Sequence, residues 1–408
     1  MKLGRAVLGV ALALAACGGD DDGGGADGGP GGDQDGGGAE SSQCGGASPA
    51  RAVVVAINGD TDFVKVVVFE DGVLGTEGPS FPVDNPRGVA MRADGREAAV
   101  AYGGFGDPMG VAFFSIEAGG AGAEALDPVD LGPGQTPYGI TYASDDRVVM
   151  VTAGPDIGTI EAIDRDGDGF SAAGSTEIPD NWPLDVAARP GHDEVVMLRA
   201  NLAEDDAADV MRLARDGDGW AVSGAVGQIG PPTIDLSVHG GGNIVYGSTS
   251  DPDDPVSVDN LDAAGVLHAL SVDDGVAAGA TRPLPGLSSF VAIDPHDRFL
   301  VLPTAIYEPD DETPTPIIRS YRMVTVLLAV DGEPVGSVDE SAPFDGLLSY
   351  DLDVTRSGHL IHAMELYTGS VPAGEESPVL VWGQPSPGVW EECQRVHLGG
   401  AAELAVAP

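Results

Sequence analysis

Apolar and polar positions alternate in short runs along most of this chain, and Gly, Pro, Asn and Asp cut the runs at close intervals. Val53 to Ile57 and Val64 to Phe69 are dense in β-branched residues and bounded by turn formers, which predicts strands. Beyond them no stretch holds a 3.6-residue apolar period over three turns. An all-β chain is expected.

The runs also repeat. A short alternating strand, a tight polar turn and a more apolar strand recur as RGVAMRADGREAAVAY (from Arg87), YGITYASDDRVVMVTA (from Tyr138) and LDVAARPGHDEVVMLR (from Leu184). The same unit returns as IDLSVHGGGNIVYGST (from Ile234), SFVAIDPHDRFLVLPT (from Ser289) and YDLDVTRSGHLIHAME (from Tyr350). A step of about fifty residues is the period of propeller blades. Between the copies lies a second hairpin with an acidic or glycine turn, as in FEDGV (from Phe69), IDRDGDGF (from Ile163) and ARDGDGW (from Ala214). Seven such outer hairpins face six inner ones. Glu403-Leu404-Ala405-Val406 matches Asp185-Val186-Ala187-Ala188 and Asp235-Leu236-Ser237-Val238 and so supplies the missing inner strand. The expected architecture is a seven-bladed β-propeller of four-stranded blades over residues 47–408, with a strand from each chain end sharing one blade and leaving no open edge. In period and blade grammar this region resembles propellers of the YVTN and lactonase-like group. The resemblance implies the fold; propellers host many unrelated functions.

The first 46 residues have a different character. Lys2 and Arg5 precede an apolar run from Ala6 to Leu14, and Leu14-Ala15-Ala16-Cys17 follows, the order of a secretory signal. The run is too short to span a bilayer. With a cysteine at the cut, residues 1–17 resemble the signal and lipobox of bacterial lipoproteins. The resemblance implies that Cys17 is the acylated mature N-terminus, carrying palmitate among its acyl chains, and that the lipid holds the protein to a membrane. Gly18 follows the cysteine, not the Asp that marks inner-membrane retention in enterobacterial relatives, so the outer membrane is expected. Residues 18–46 are mostly Gly and Asp and cannot form a core; they read as a disordered tether with a coil reach of ~30 Å.

Composition narrows the partners. The 408 residues hold 65 acidic against 19 basic side chains, for a formal net charge of −46. Such a surface repels phosphate backbones, so no nucleic-acid partner is expected. It also repels anionic head groups, which leaves the lipid as the membrane contact. The protein should be monomeric, and its partner is a protein or small-molecule ligand of unknown kind. In an oxidising compartment Cys44 and Cys393, at the two ends of the folded region, are expected to form a disulfide.

Three groups carry candidate chemistry. Aligning the inner strands on their turns puts Gly88, Gly139, Asp185, Asp235, Ser289, Asp351 and Glu403 in one register. Asp185, Asp235, Asp351 and Glu403 would then converge on the central channel, where neighbouring carboxylates either bind a cation or raise one another's pKa. Oxygen ligands favour Ca²⁺ there. Asp164, Asp166 and Asp168 resemble a calcium loop, but they lack its closing Glu and its helices, and a hairpin turn needs the same residues. His192, His239, His296 and His359 fall at inner turns on separate blades and read as turn residues. Long acidic loops at 201–209, 250–262, 308–318 and 368–378 flank the channel mouth and suit binding.

No Gly-x-Ser-x-Gly elbow, His-Glu-x-x-His, phosphate loop or haem motif occurs. The leading expectation is a membrane-anchored scaffold that binds through an acidic top face. The alternative is a metal-assisted, lactonase-like hydrolase using the channel carboxylates.

Overall fold

A computed structural model describes residues 48–408 apart from 59–61, 105, 155–156, 180, 202–207, 231–233, 251–259, 261–264, 274–279, 309–316, 341–343, 346, 367–377, 387–388 and 399–400. Cys17, Cys44, the tether and most of the four long acidic loops lie outside the described residues.

Seven antiparallel sheets form seven blades. Blade 1 combines the C-terminal strand Ala401–Val406 with Arg51–Ile57, Phe63–Glu70 and a split outer strand, Val73–Leu74 and Ser80–Pro82. Blade 2 begins at Pro86–Met91, blade 3 at Thr136–Ser144, blade 4 at Asn181–Ala188, blade 5 at Ser237–Val238, blade 6 at Ala292–Ile293 and blade 7 at Leu347–Val354. The ring closes as the repeat count requires: Val53 pairs with Val406, Val54 with Ala405, Val55 with Leu404 and Ala56 with Glu403.

The core is a set of seven apolar seams, one between each pair of neighbouring blades. Val53, Val55 and Ile57 face blade 7 and meet Ile361, Val379 and Val381. Ala52, Val54 and Ala56, on the other side of the same strand, face blade 2 and meet Ala98, Val100 and Phe114. A strand covered on both faces needs apolar residues at every position, which explains the unbroken run at 52–57. Outer strands have one solvated side: Gly219–Gln228 buries Trp220 and Val226 and exposes Val222 and Ser223.

Turn chemistry sets the hairpins. Asp71 and Gly72 both have positive φ, 53° and 80°, as a type I′ turn demands. Gly167 (φ 66°) and Gly217 (φ 63°) occupy equivalent positions in the outer hairpins of blades 3 and 4. Among the described residues the helical content is one 3₁₀ turn, Ala118–Gly120. None of their helices is long and apolar enough to cross a membrane.

Candidate functional site

The inner strand of each blade has no further strand on its channel side, so part of its backbone needs partners from elsewhere. The channel carboxylates supply them. Leu236 N–H of blade 5 donates to Asp185 Oδ2 of blade 4 at 2.9 Å. Val291 N–H of blade 6 donates to Asp235 Oδ2 of blade 5 at 3.0 Å. Leu404 N–H of blade 1 donates to Asp351 Oδ2 of blade 7 at 2.8 Å. Each acid therefore latches its blade to the next at the same relative position. The second oxygen of Asp351 accepts the N–H of Leu352 at 2.8 Å.

Two residues extend the series beyond the sequence expectation. Asp353 Oδ2 accepts Val406 N–H at 2.9 Å, from blade 7 to blade 1. Thr141 Oγ1 accepts Ala188 N–H at 3.2 Å, from blade 3 to blade 4. The sequence signal for Asp353 was its spacing of two from Asp351, which puts both on one side of a strand.

The structure brings Asp185, Asp235, Asp351 and Glu403 together. Asp351, Asp185 and Asp235 all act on Glu403 and, with burial, hold its carboxyl well above the usual range; Arg87 pulls the other way. Burial is the first cause of every rise in this cluster. It raises Asp185 to about 6, and with Asp353 and Asp185 nearby it raises Asp351 to about 8. Burial and the charge of Asp185 push Asp235 well above its ordinary value. Asp185 and Asp235 lie close enough for their charges to act on each other, which disfavours ionising both. Burial likewise lifts Asp353 to about 6.

The register differs from expectation at blade 6. The first turn residues Arg92, Arg189, His239, Asp294 and Thr355 each donate across the inner turn in the same way, so the position four residues before Asp294 is Phe290, not Ser289. Asp185 and Asp351 sit mid-strand, within Asn181–Ala188 and Leu347–Val354, and Asp235 lies two residues before Ser237–Val238. Blades 2 and 3 carry glycine there because neighbours approach closely. A Cβ on Gly139 would lie 2.7 Å from Val186 N and 2.8 Å from Asp185 Cα.

At the cation site expected from Asp185, Asp235, Asp351 and Glu403, carboxyl oxygens already serve as backbone acceptors. Asp185, Asp235 and Asp351 each turn one oxygen onto a backbone amide of the adjacent blade. Among the described residues no group of three or more His, Cys, Asp or Glu is arranged to hold a metal ion. Asp164, Asp166 and Asp168, the expected calcium loop, lie at the outer hairpin turn of blade 3. Asp166 pairs with Gly169 across a two-residue turn, and Asp164 accepts from Arg147 Nε at 2.8 Å. The histidines are turn residues, as expected: His239 Nδ1 accepts Gly241 N–H at 3.0 Å, and His359 Nδ1 pairs with Ser357 at 3.0 Å. Cys393 packs half-buried against the seam between blades 7 and 1, where both chain ends meet.

No family model and no curated protein matches the chain. Solved structures do match it. The periplasmic gluconolactonase of Pseudomonas aeruginosa superposes with a TM-score of 0.59 at 13% identity over 88% of this chain and 99% of that one. A putative 6-phosphogluconolactonase from Bacteroides uniformis gives a TM-score of 0.60 at 13% identity over 88% and 100%. A protein from Lactobacillus plantarum gives 0.62 at 12% identity over 88% and 100%. At such identities the likeness is one of architecture, and the chain shares the seven-bladed propeller fold of the lactonase-like structures.

Proposed function

We propose that this protein is an exported, lipid-tethered scaffold that binds a ligand or partner protein through its acidic top face. One observation carries the reading: the channel carboxyls that a metal-assisted lactonase would use already serve as blade-to-blade acceptors. Burial also holds these channel acids above the usual carboxylate range, which suits a structural axle. The long acidic loops at 201–209, 250–262, 308–318 and 368–378 offer the variable surface.

The test is turnover of glucono-1,5-lactone by the purified protein, its Asp235→Asn variant and its Asp351→Asn variant, with Ca²⁺ and with chelator. Equal, background-level rates in all arms are expected. Turnover that chelator removes and Asp235→Asn abolishes would restore the hydrolase reading.

The anchoring proposal rests on Leu14-Ala15-Ala16-Cys17 and gains support for export from the periplasmic location named for one structural neighbour. Cys17→Ser should release the protein from the membrane fraction or block its maturation. A variant that matures and stays as firmly bound would overturn the anchor. The Cys44–Cys393 disulfide belongs to the same proposal, and peptide mapping without reduction decides it.

A further inference from the structure

Away from the channel, the seam between blades 1 and 2 is incomplete. The outer strand of blade 1 is split into Val73–Leu74 and Ser80–Pro82. That of blade 2 is split into Ala123–Ala125 and Val129–Pro133. Both halves in blade 2 pair with the same strand, Pro108–Ile116, the first at Phe114–Ile116 and the second at Pro108–Val111. Between them, after Leu126 N–H bonds Phe113 O at 2.8 Å, the pairing is interrupted before Val129, and a cavity of about 370 Å³ lined by Leu126 and Pro128 opens beside the gap. Blades 3 and 4 have continuous outer strands, Gly169–Pro179 and Gly219–Gln228. Blade 6 also splits its outer strand, into Pro334–Glu340 and Phe344–Asp345, but blades 1 and 2 do so side by side, and the cavity lies between them.

Its lining has a specific chemistry. Phe81, Tyr102 and Phe114 present aromatic walls, and Asp84 stands among the lining residues. Phe81 and Phe114 are in ring contact, with centroids 5.0 Å apart and planes tilted by 41°. Phe114 is buried, whereas Phe81 and Tyr102 are only partly so, as expected of rings with one side turned to a cavity. Burial first, and then the charges of Asp130 and Asp84, raise the Tyr102 phenol above its ordinary value. Small residues, Ala112 and Ala125, complete the lining.

Aromatic faces carry partial negative charge and attract cations, and a carboxylate at the rim reinforces the attraction. A volume near 370 Å³ falls at the small end of ligand pockets. An anion would meet Asp84 and the net charge of −46. A neutral apolar ligand would leave Asp84 without a role. The geometry points to a binding site for a small organic ammonium ion, held by Phe81, Tyr102 and Phe114 with Asp84 as counter-ion. The site is separate from the channel and does not depend on the reading of the top face.

The experiment titrates the full exported chain with choline and, in parallel, with its uncharged isostere 3,3-dimethyl-1-butanol. Saturation-transfer NMR reports ligand contact with aromatic protons. Choline should bind saturably, and about tenfold more tightly than the isostere. Phe81→Leu and Asp84→Asn should each weaken choline by a similar factor, with circular dichroism and melting temperature confirming that the fold is kept. Asp84 is exposed, so Asp84→Asn tests the counter-ion without disturbing the core. Raising salt should weaken choline and leave the isostere unchanged. Equal affinity for choline and the isostere would reduce the site to an apolar crevice and overturn the proposal. Choline binding untouched by both variants would place it on the general acidic surface and overturn it as well.

Discussion

Asp351 shows what a single residue does in this ring. Its oxygens accept Leu404 N–H on the next blade and Leu352 N–H on its own. Burial, together with Asp353 and Asp185, lifts its carboxyl to about 8, so the folded chain holds a proton that the unfolded chain releases near pH 4. The folded state therefore binds more protons between those values. The stability tied to this group is complete below about pH 4 and is lost as pH climbs through about 8. Asp351→Asn replaces the protonated acid with an uncharged group of the same shape that keeps an acceptor for Leu404. It should match the wild type near pH 4 and exceed it by about 2 kcal/mol at pH 8.5, a fraction of the full shift. Urea unfolding at the two pH values measures the difference. A variant equally weakened at both would show that the negative charge of Asp351 itself stabilises the ring. Asp351→Ala removes both acceptors and should cost about 1–3 kcal/mol even near pH 4.

At the scale of the element, the inner strands are spaced by what stands in one register. Where the residue is Asp, an oxygen bridges to the next blade; where it is Gly, the blades touch directly. A Cβ at Gly139 would meet backbone atoms, Val186 N at 2.7 Å and Asp185 Cα at 2.8 Å, and neither can swing aside. Gly139→Ala should push blades 3 and 4 apart and cost about 1–3 kcal/mol, read as a lower urea midpoint with an unchanged slope. An unchanged midpoint would mean that the ring yields at this seam. The strand pattern and the blade period were legible in the chain because turn residues and two-sided apolar runs are local signals. The shared register of Asp185, Asp235, Asp351 and Glu403 was legible for the same reason. What those acids do was not, because each accepting oxygen meets an amide about fifty residues away on another blade. The slip from Phe290 to Ser289 has a local cause: the inner turn of blade 6 holds Asp294 and Asp297, and either fits a turn position by type alone. The cavity between blades 1 and 2 left no trace in the repeat, since a split outer strand reads as an ordinary loop.

Closure governs the molecule as a whole. A ring of blades carrying a formal charge of −46 repels itself, and the strand Ala401–Val406 holds the first and last blades together. Leu404 and Val406 are buried in the seam that joins blade 7 to blade 1. Their amides are also the donors that Asp351 and Asp353 accept. Ala407 N–H adds a bond to Ala52 O at 2.8 Å. Deleting residues 403–408 would expose the channel edge of Arg51–Ile57 and leave two latch acids without their amides. Burial of the two side chains alone is worth about 3–6 kcal/mol, so the loss should be a large part of total stability. Salt separates the two forces at work. Screening relieves surface repulsion, so the intact chain should melt higher in 1 M NaCl than in 0.05 M NaCl. The deleted chain should gain a similar increment without recovering the deficit, because burial and buried hydrogen bonds are screened little. Calorimetry of both chains at the two salt concentrations reads these effects directly. A truncated chain that salt restores to wild-type stability would show that repulsion alone opens the ring and that the shared blade is dispensable.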